Sequence, residues 1–432
     1  MSLFPGTKGN DILAWRGISE LIGDIRNRKA KRLTTLSGRD SMLFLKDFKG
    51  RLDAEIAFEE GYAAELAEAM EALDAGRTVA ELAAVHARCH RLAEEYYRKR
   101  GSVIALHALC TFYRDILLRK ALILAEDLQE QEGAGRPTAA FCILAGGSIG
   151  RREQTFSVDP FLMLMYDDLS STGTEWFRGY MQRAATLMLE IGLVKDGSAA
   201  PLLGAIRTVG RSDWLEKIPE FSRRGNRQEL LELISFADLR SISGDGDLAE
   251  EMLRTVRCAL GYGETPLSAE CAGAVHGGSA SPITPQLLQG MGKEMAELPT
   301  GLNFFSRLRL EKSGLHKGKF ELEQHALLPL IANVRMLAAF RGLRETGTID
   351  RIKGLQLRGH LSVELTERLL RAFHEFSRLK INRQLTGGGG RESICYIDPR
   401  ELTPEEEYRL RNGLEAVTVI EKIAYISFTE QR

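Results

Sequence analysis

The sequence predicts an α+β protein, predominantly helical, with a small mixed β-sheet set between N- and C-terminal helical bundles. Three observations predict it. Through most of the 432 residues apolar side chains recur at three- and four-residue steps, the spacing of one helix face. Two short apolar runs, Ala139 to Ala145 and Phe161 to Tyr166, have strand length. Between them lies a glycine-serine turn, Gly146-Gly147-Ser148-Ile149-Gly150-Arg151-Arg152-Glu153-Gln154-Thr155, with Asp159 four residues on.

The first 135 residues read as helices. Ile12, Trp15, Ile18, Leu21, Ile22 and Ile25 form one apolar stripe, and Glu55 to Leu73 is alanine- and glutamate-rich up to Gly76. Thr78, with Glu81 three residues later, predicts a capping box for a helix from Val79 to about Arg98. Val103 to Glu132 continues as a long helix, stopped by Gly133 and the Gly135-Arg136-Pro137 breaker. After the strand signals, Trp176 to Gly192 is helical again, and Gly197 to Val209 is consistent with a further strand pair. From about Arg227 helices dominate: Asp247 to Leu260, Glu321 to Arg341, Ser362 to Lys380 and Glu405 to Phe428. Ser362 and Thr403 are the expected N-caps, with Pro404 at the first helical position. Gly261 to Gly292 reads as loop. The chain thus divides into residues 1–76, 77–224 and 225–432.

Composition narrows the function classes. A chain 44% hydrophobic can bury a sizeable core, and 58 basic against 59 acidic residues leave a net charge of −1. No overall field favours nucleic acid or a membrane surface. The cluster Arg26, Arg28, Lys29, Lys31, Arg32 reads as a solvated helix face rather than an anion-binding one. Cys89, Cys110 and Cys142 sit among apolar neighbours, as buried reduced thiols do. With no apolar span of about 18 residues, the expected location is the cytoplasm.

The turn carries the chemistry. Nucleotidyl transfer is in-line attack on an α-phosphate, and the protein supplies positioning and charge neutralisation. Small residues after a buried strand let backbone N–H groups and a serine hydroxyl approach phosphate oxygens. Carboxylates on the adjacent strand hold the metal ions that bridge attacking and leaving oxygens. Arg151 or Arg152 could pair with a phosphate, and Glu153 could orient that arginine. A Gly-Gly-Ser turn alone is a weak signal and reads better as a plain strand-to-helix connection.

The wider pattern goes further. Gly147-Ser148-x-Gly150-Arg151-x-Glu153-Gln154-Thr155, with Asp159 in place, resembles the nucleotidyltransferase domain of bacterial signalling proteins, a relative of the PII uridylyltransferases. Phe236-Ala237-Asp238-Leu239-Arg240, then Asn333-Val334-Arg335-Met336-Leu337-Ala338, resemble that family's C-terminal substrate-binding helical domain. The resemblance covers about residues 78–432 and implies a polymerase-β-like sheet in residues 77–224. It implies that Gly146, Gly147, Ser148, Arg151, Glu153 and Gln154 bind the nucleotide. Asp159 would be the catalytic metal ligand for Mg²⁺, and the acceptor a protein or small molecule. A homo-oligomer is left open.

The departures fall where the chemistry would be. The family pattern reads Gly-Ser-Glu-Gly-Arg-x-Glu-Gln-Thr and then Asp-Gln-Asp-Asn; here the glutamate is Ile149 and the second aspartate is Phe161. Phenylalanine cannot coordinate a metal, and loss of one shared carboxylate costs orders of magnitude in rate. Asp167 and Asp168 stand at the far end of the run and are poor substitutes for the second aspartate; Asp196 and Asp238 are the candidates for a third carboxylate, Asp238 being better read as paired with Arg240 or as a helix cap. The family's cysteine- and glycine-rich strand turn is eroded to Gly197-Ser198-Ala199-Ala200. These residues predict a transferase with weakened or lost activity, or a non-catalytic nucleotide-sensing or interaction module.

Other constellations are weaker. His86, Cys89, His90 and His107 have a spacing that could hold zinc but read better as satisfied helix residues. Gly387 to Gly390 lacks the Gly-Lys-Ser/Thr of a phosphate loop and reads as linker, as does Gly277-Gly278-Ser279. Arg335, Arg341, Arg344 and Arg351 could line an anionic-ligand surface or be ordinary surface charge.

Overall fold

The computed structural model describes residues 38–429 except 138, 158–160, 169–170, 195–205, 225, 261–289, 291, 294–296, 299, 304–305 and 387–394. The amphipathic stripe at Ile12 to Ile25, the basic cluster at Arg26 to Arg32, both glycine-rich segments (277–279 and 387–390), Asp159, Asp196 and the 197–200 turn lie outside the described residues.

Three helices lead in: α1 (Gly38–Ala75), α2 (Val79–Arg100) and α3 (Val103–Gln129). The capping box on α2 forms as expected. Glu81 N donates to Thr78 Oγ1 at 3.3 Å, and Thr78 N donates to Glu81 Oε2 at 3.0 Å. Gly101, at φ 63°, ends the helix in the left-handed conformation that suits glycine. α3 closes in a π-helical turn, Glu130–Ala134, in which Gly133 has φ 87°.

The sheet follows, with β1 (Phe141–Ala145), α4 (Gly147–Gly150), β2 (Leu162–Tyr166), α5 (Ser171–Glu190), β3 (Ile206–Gly210), α6 (Arg211–Arg224), α7 (Arg227–Ser235), a 3₁₀ turn (Phe236–Asp238) and β4 (Arg240–Gly244). Strand order is β3-β2-β1-β4, with β1 antiparallel to β2 and β4, and β2 parallel to β3. This is a mixed four-stranded sheet in a predominantly helical α+β fold, as the sequence predicts. Of the expected strand pair in Gly197 to Val209, β3 is the described member.

Both faces of the sheet are covered, which is why β1 and β2 read as unbroken apolar runs. Ile143, Ala145, Leu162 and Leu164 join one core with α2, α3 and α5. Cys142, Leu144, Met163 and Met165, pointing the other way, join a second core with α6, α7 and α8 (Gly246–Ala259). Cys89, Cys110 and Cys142 are free, buried thiols, and burial pushes Cys89 and Cys142 up to about 12.

The C-terminal half contains a two-stranded ribbon, β5 (Phe320–Glu321) with β6 (Tyr396–Ile397), a π-helical turn (Glu323–Leu327), α9 (Leu328–Phe340), α10 (Thr348–Leu357), α11 (Val363–Thr386) and α12 (Pro404–Thr429). These helices enclose a third core. Ser362 and Thr403 cap as expected: Leu365 N donates to Ser362 Oγ at 3.1 Å and Glu406 N to Thr403 Oγ1 at 3.2 Å. The helix expected from Glu321 begins only after β5 and the π-helical turn. Elements not anticipated include α6, the β5–β6 ribbon, α10, and β4, which lies beyond residue 224 and pairs with β1. No helix among the described residues is long and apolar enough to cross a membrane.

Candidate nucleotide site

The register brings the motif together at one end of the sheet. Ala145, the last residue of β1, faces Leu162 at the start of β2 and Arg240 at the start of β4, and Leu162 faces Ile206 at the start of β3. The Gly-Ser turn, Phe161 and Asp238 therefore converge.

The turn needs its glycines for different reasons. A Cβ on Gly146 would lie 2.5 Å from Phe161 Cδ1. Gly147 has φ +57° and open space around it. A Cβ on Gly150 would lie 2.0 Å from the Asp238 carbonyl oxygen and 2.7 Å from that of Ala145, so only glycine lets the turn touch the segment before β4. Gly147 and Ser148 are partly exposed. Among the described residues the amides of Gly147, Ser148 and Ile149 enter no backbone hydrogen bond, as at the start of any helical turn.

Arg151 and Glu153 are brought together as the sequence suggests. Arg151 donates from Nε to Glu153 Oε2 at 2.7 Å and from Nη1 to Asp238 Oδ2 at 2.6 Å. Asp238 is not paired with Arg240. Its carboxylate also accepts from Arg335 Nε (2.9 Å) and Nη2 (2.6 Å) and from Arg351 Nη1 (2.6 Å), two arginines of α9 and α10. Arg351 donates further to the Ala237 and Glu345 carbonyls. Burial opposes the charged form of Asp238, yet Arg335, Arg151 and Arg351 outweigh it and hold the carboxyl well below the usual range. Burial likewise opposes the charge on Arg151, and Glu153 and Asp238 reverse that effect. Arg335 and Arg351 are therefore neither an anion-binding surface nor ordinary surface charge; Arg341 stacks over the Phe340 ring.

Glu153 has a second partner. Its Oε1 accepts from the backbone of Thr348 at 2.7 Å, the first residue of α10. The N-cap Gly347 offers no side chain, so the motif glutamate caps α10 from across the fold. Thr346 Oγ1 donates to the Gly150 carbonyl at 2.8 Å.

Gln154 is buried and turns inward, donating from Nε2 to Asp115 Oδ1 at 3.3 Å. Asp115 also accepts from Arg240 Nη2 at 2.8 Å, whose Nε donates to the Ile149 carbonyl at 3.0 Å. The Ile149 side chain is buried in the first core, beside a cavity of about 20 Å³ that Arg114, Asp115, Gln154 and Leu162 also line. Phe161 sits over Gly146, its carbonyl accepting from Gly146 N at 2.9 Å, and stacks on Phe236 with ring centroids 6.2 Å apart.

Among the described residues no free pair of carboxylates stands at this end of the sheet. Phe161 has no ligand atom, β3 (Ile206-Arg207-Thr208-Val209-Gly210) contains no carboxylate, and both oxygens of Asp238 are taken by guanidinium groups. No group of three or more His, Cys, Asp or Glu that could hold a metal ion occurs among the described residues. That includes the His86, Cys89, His90 and His107 set, whose members are helix residues packed in or against the first core. Asp167 and Asp168 serve the far end of the sheet, accepting from Arg211 and from Ser212 N at the start of α6.

Sequence reasoning missed Asp115, Thr348 and the roles of Arg240, Arg335 and Arg351. The one available signal was the Asp238-Leu239-Arg240 triplet, which places a carboxylate and a guanidinium on either side of a strand start.

Comparison with known proteins agrees with this architecture. The model of a family described as a putative nucleotidyltransferase matches residues 87–200, running from within α2 into the residues between α5 and β3. A second model, described as the putative nucleotidyltransferase substrate binding domain, matches residues 285–428. No curated protein matches the chain. The two matched segments are the ones joined through Arg151, Glu153, Asp238, Arg335 and Arg351, and the chain belongs to this nucleotidyltransferase family, with its C-terminal substrate-binding domain.

Proposed function

We propose that the chain binds a nucleoside triphosphate on the Gly146-Gly147-Ser148 turn and is a PII uridylyltransferase-like nucleotidyltransferase whose transfer activity is weakened or lost. The observation that carries the reading is Phe161, an aromatic ring packed over Gly146 where the family places its second metal-binding aspartate. Phosphate binding is supported separately. The first amides of α4 are unspent, the Ser148 side chain is partly exposed, and Arg151 Nη2 pairs with no protein group among the described residues.

A divalent cation such as Mg²⁺ would have Asp159 as its one motif carboxylate. One carboxylate is a poor fit to the two-ion clamp of in-line transfer, so no step is assigned to a metal. What the residues themselves do is hold and orient. The turn meets phosphate oxygens, Arg151 neutralises charge, and Glu153 fixes the plane of that guanidinium. The acceptor would be a protein or a small molecule met by the C-terminal helices. A second reading, a non-catalytic nucleotide sensor or interaction module in bacterial signalling, is favoured by Ile149, which turns an apolar side chain into the core where the family has glutamate.

The test uses each radiolabelled nucleoside triphosphate with Mg²⁺ or Mn²⁺ and cell extract, for wild type, Asp159→Ala and Phe161→Asp. The expected result is thermal stabilisation by a triphosphate, little transfer by wild type and more by Phe161→Asp. Robust wild-type transfer abolished in Asp159→Ala would sink the non-catalytic reading. Absence of both binding and transfer would sink the transferase and the nucleotide-sensor readings and leave an interaction role.

A further inference from the structure

Arg151 is held by two carboxylates, and both are gripped in turn by the C-terminal helices. We propose that Asp238 is a positioning residue through which α9 and α10 set the affinity of the Gly-Ser turn for nucleotide phosphates. This rests on the nucleotide-binding reading above. A carboxylate accepts about four hydrogen bonds, and Asp238 receives four from guanidinium groups: two from Arg335, one from Arg351 and one from Arg151. No lone-pair direction is left for slack. A shift of α9 or α10 therefore moves the carboxylate, and Arg151 moves with it.

A second route runs in parallel. Glu153 Oε2 accepts from Arg151 Nε while its Oε1 accepts from Thr348 N at the start of α10. Thr346 Oγ1 holds the Gly150 carbonyl, and a Cβ on Gly347 would lie 3.3 Å from the Arg151 carbonyl oxygen. The turn and α10 are thus joined on both sides of the Arg151 guanidinium.

Charge gives the coupling its sign. Within this ion-pair cluster three guanidinium groups (Arg151, Arg335, Arg351) face two carboxylates (Asp238, Glu153), one positive charge in excess. In a partly enclosed, low-dielectric setting such an excess favours an incoming anion. A phosphate at Arg151 Nη2 completes the balance, so an occupied turn tightens the docking of α9 and α10. By linkage, docked helices tighten phosphate binding to the same degree.

The test takes the full chain with Mg²⁺ and ATP, GTP, CTP or UTP, read by calorimetry and hydrogen exchange. Arg351→Lys keeps the charge but cannot fork to Asp238, Ala237 and Glu345 at once. The wild type is expected to show slower exchange over residues 335–351 when a triphosphate binds. Arg351→Lys should raise Kd about tenfold and lose that protection. Arg358→Lys, at the opposite end of the same helix and bonded to the Arg341 carbonyl, should leave both unchanged. If Arg351→Lys does not fold, Thr346→Val, which removes one hydroxyl, should raise Kd about threefold. An unchanged Kd in a folded variant, with the wild type binding normally, overturns the coupling and leaves the nucleotide reading standing. A wild type that binds none of the four overturns both.

Discussion

Arg351 donates from Nη1 to Asp238 Oδ1 at 2.6 Å, and each side chain is only 1% exposed. Replacing Asp238 with asparagine keeps the shape but sets three buried guanidinium groups against a neutral amide. The expected loss is about 3–5 kcal/mol of unfolding free energy, measured by urea titration. Because the folded carboxyl is held well below its ordinary value, its contribution is full above the unfolded value near 4 and declines progressively as pH falls from there toward the folded value. The gap between wild type and Asp238→Asn should be constant from pH 8 to about 5 and begin to narrow only below about 4. A gap that narrows between pH 8 and 6 would contradict this account.

Two glycines of the turn should respond differently to alanine. At Gly150 the new Cβ meets two backbone carbonyls, at 2.0 and 2.7 Å, and neither can retreat without breaking the sheet end. Gly150→Ala should cost more than about 3 kcal/mol or abolish folding. At Gly147 the space is open and only the positive φ resists, so Gly147→Ala should cost about 1 kcal/mol. Melting curves of the pair suffice; equal losses would refute the assigned close approach.

His107 is buried against Phe373, and burial pulls its pKa down to about 4, with Glu153 working the other way. The fold keeps it neutral while the unfolded chain takes up the proton near 6.5. Stability from this group is complete above about 6.5 and is lost as pH falls toward 4. Wild type should therefore lose about 3 kcal/mol more than His107→Gln between pH 7 and 4. Parallel losses would mean the imidazole is solvated.

Glu421, on α12, has an Oε2 atom that is buried and without a hydrogen-bond partner among the described residues, and burial raises its pKa to about 7 against the pull of Lys422. Its raised value means that stability present in acid is lost as pH rises through 7. Glu421→Gln should add about 1 kcal/mol at pH 8.5, discounted for partial exposure, and nothing at pH 4. No gain at high pH would refute the assignment.

Legibility in the sequence followed the distance over which each element is decided. The Thr78–Glu81 box and the Ser362 and Thr403 caps are settled within three residues, and they form as read. β1 and β2 were legible because both faces are buried, so every side chain is apolar. β4 was not: Arg240-Ser241-Ile242-Ser243-Gly244 lies at the sheet edge with one buried apolar residue, and its pairing with β1 spans about a hundred residues. β5 and β6, of two residues each, carry no period at all. The Gly-Ser turn declared the family. Its ties to Arg335 and Arg351 stayed hidden because those arginines are 97 and 113 residues from Asp238, and an arginine in a helix looks the same whether it meets water or a carboxylate.

The second core is closed from both halves of the chain: Met163, Met165 and Trp214 share it with Met336, Phe340, Ala424 and Phe428. The two stretches that family models treat as consecutive modules are thus not detachable. A fragment ending before residue 285 would keep every strand of the four-stranded sheet yet present one flank of that sheet's core to water, inviting association in place of solubility. In evolution, too, a swap of the C-terminal module would have to carry its share of that core with it, so the two halves are constrained to change together.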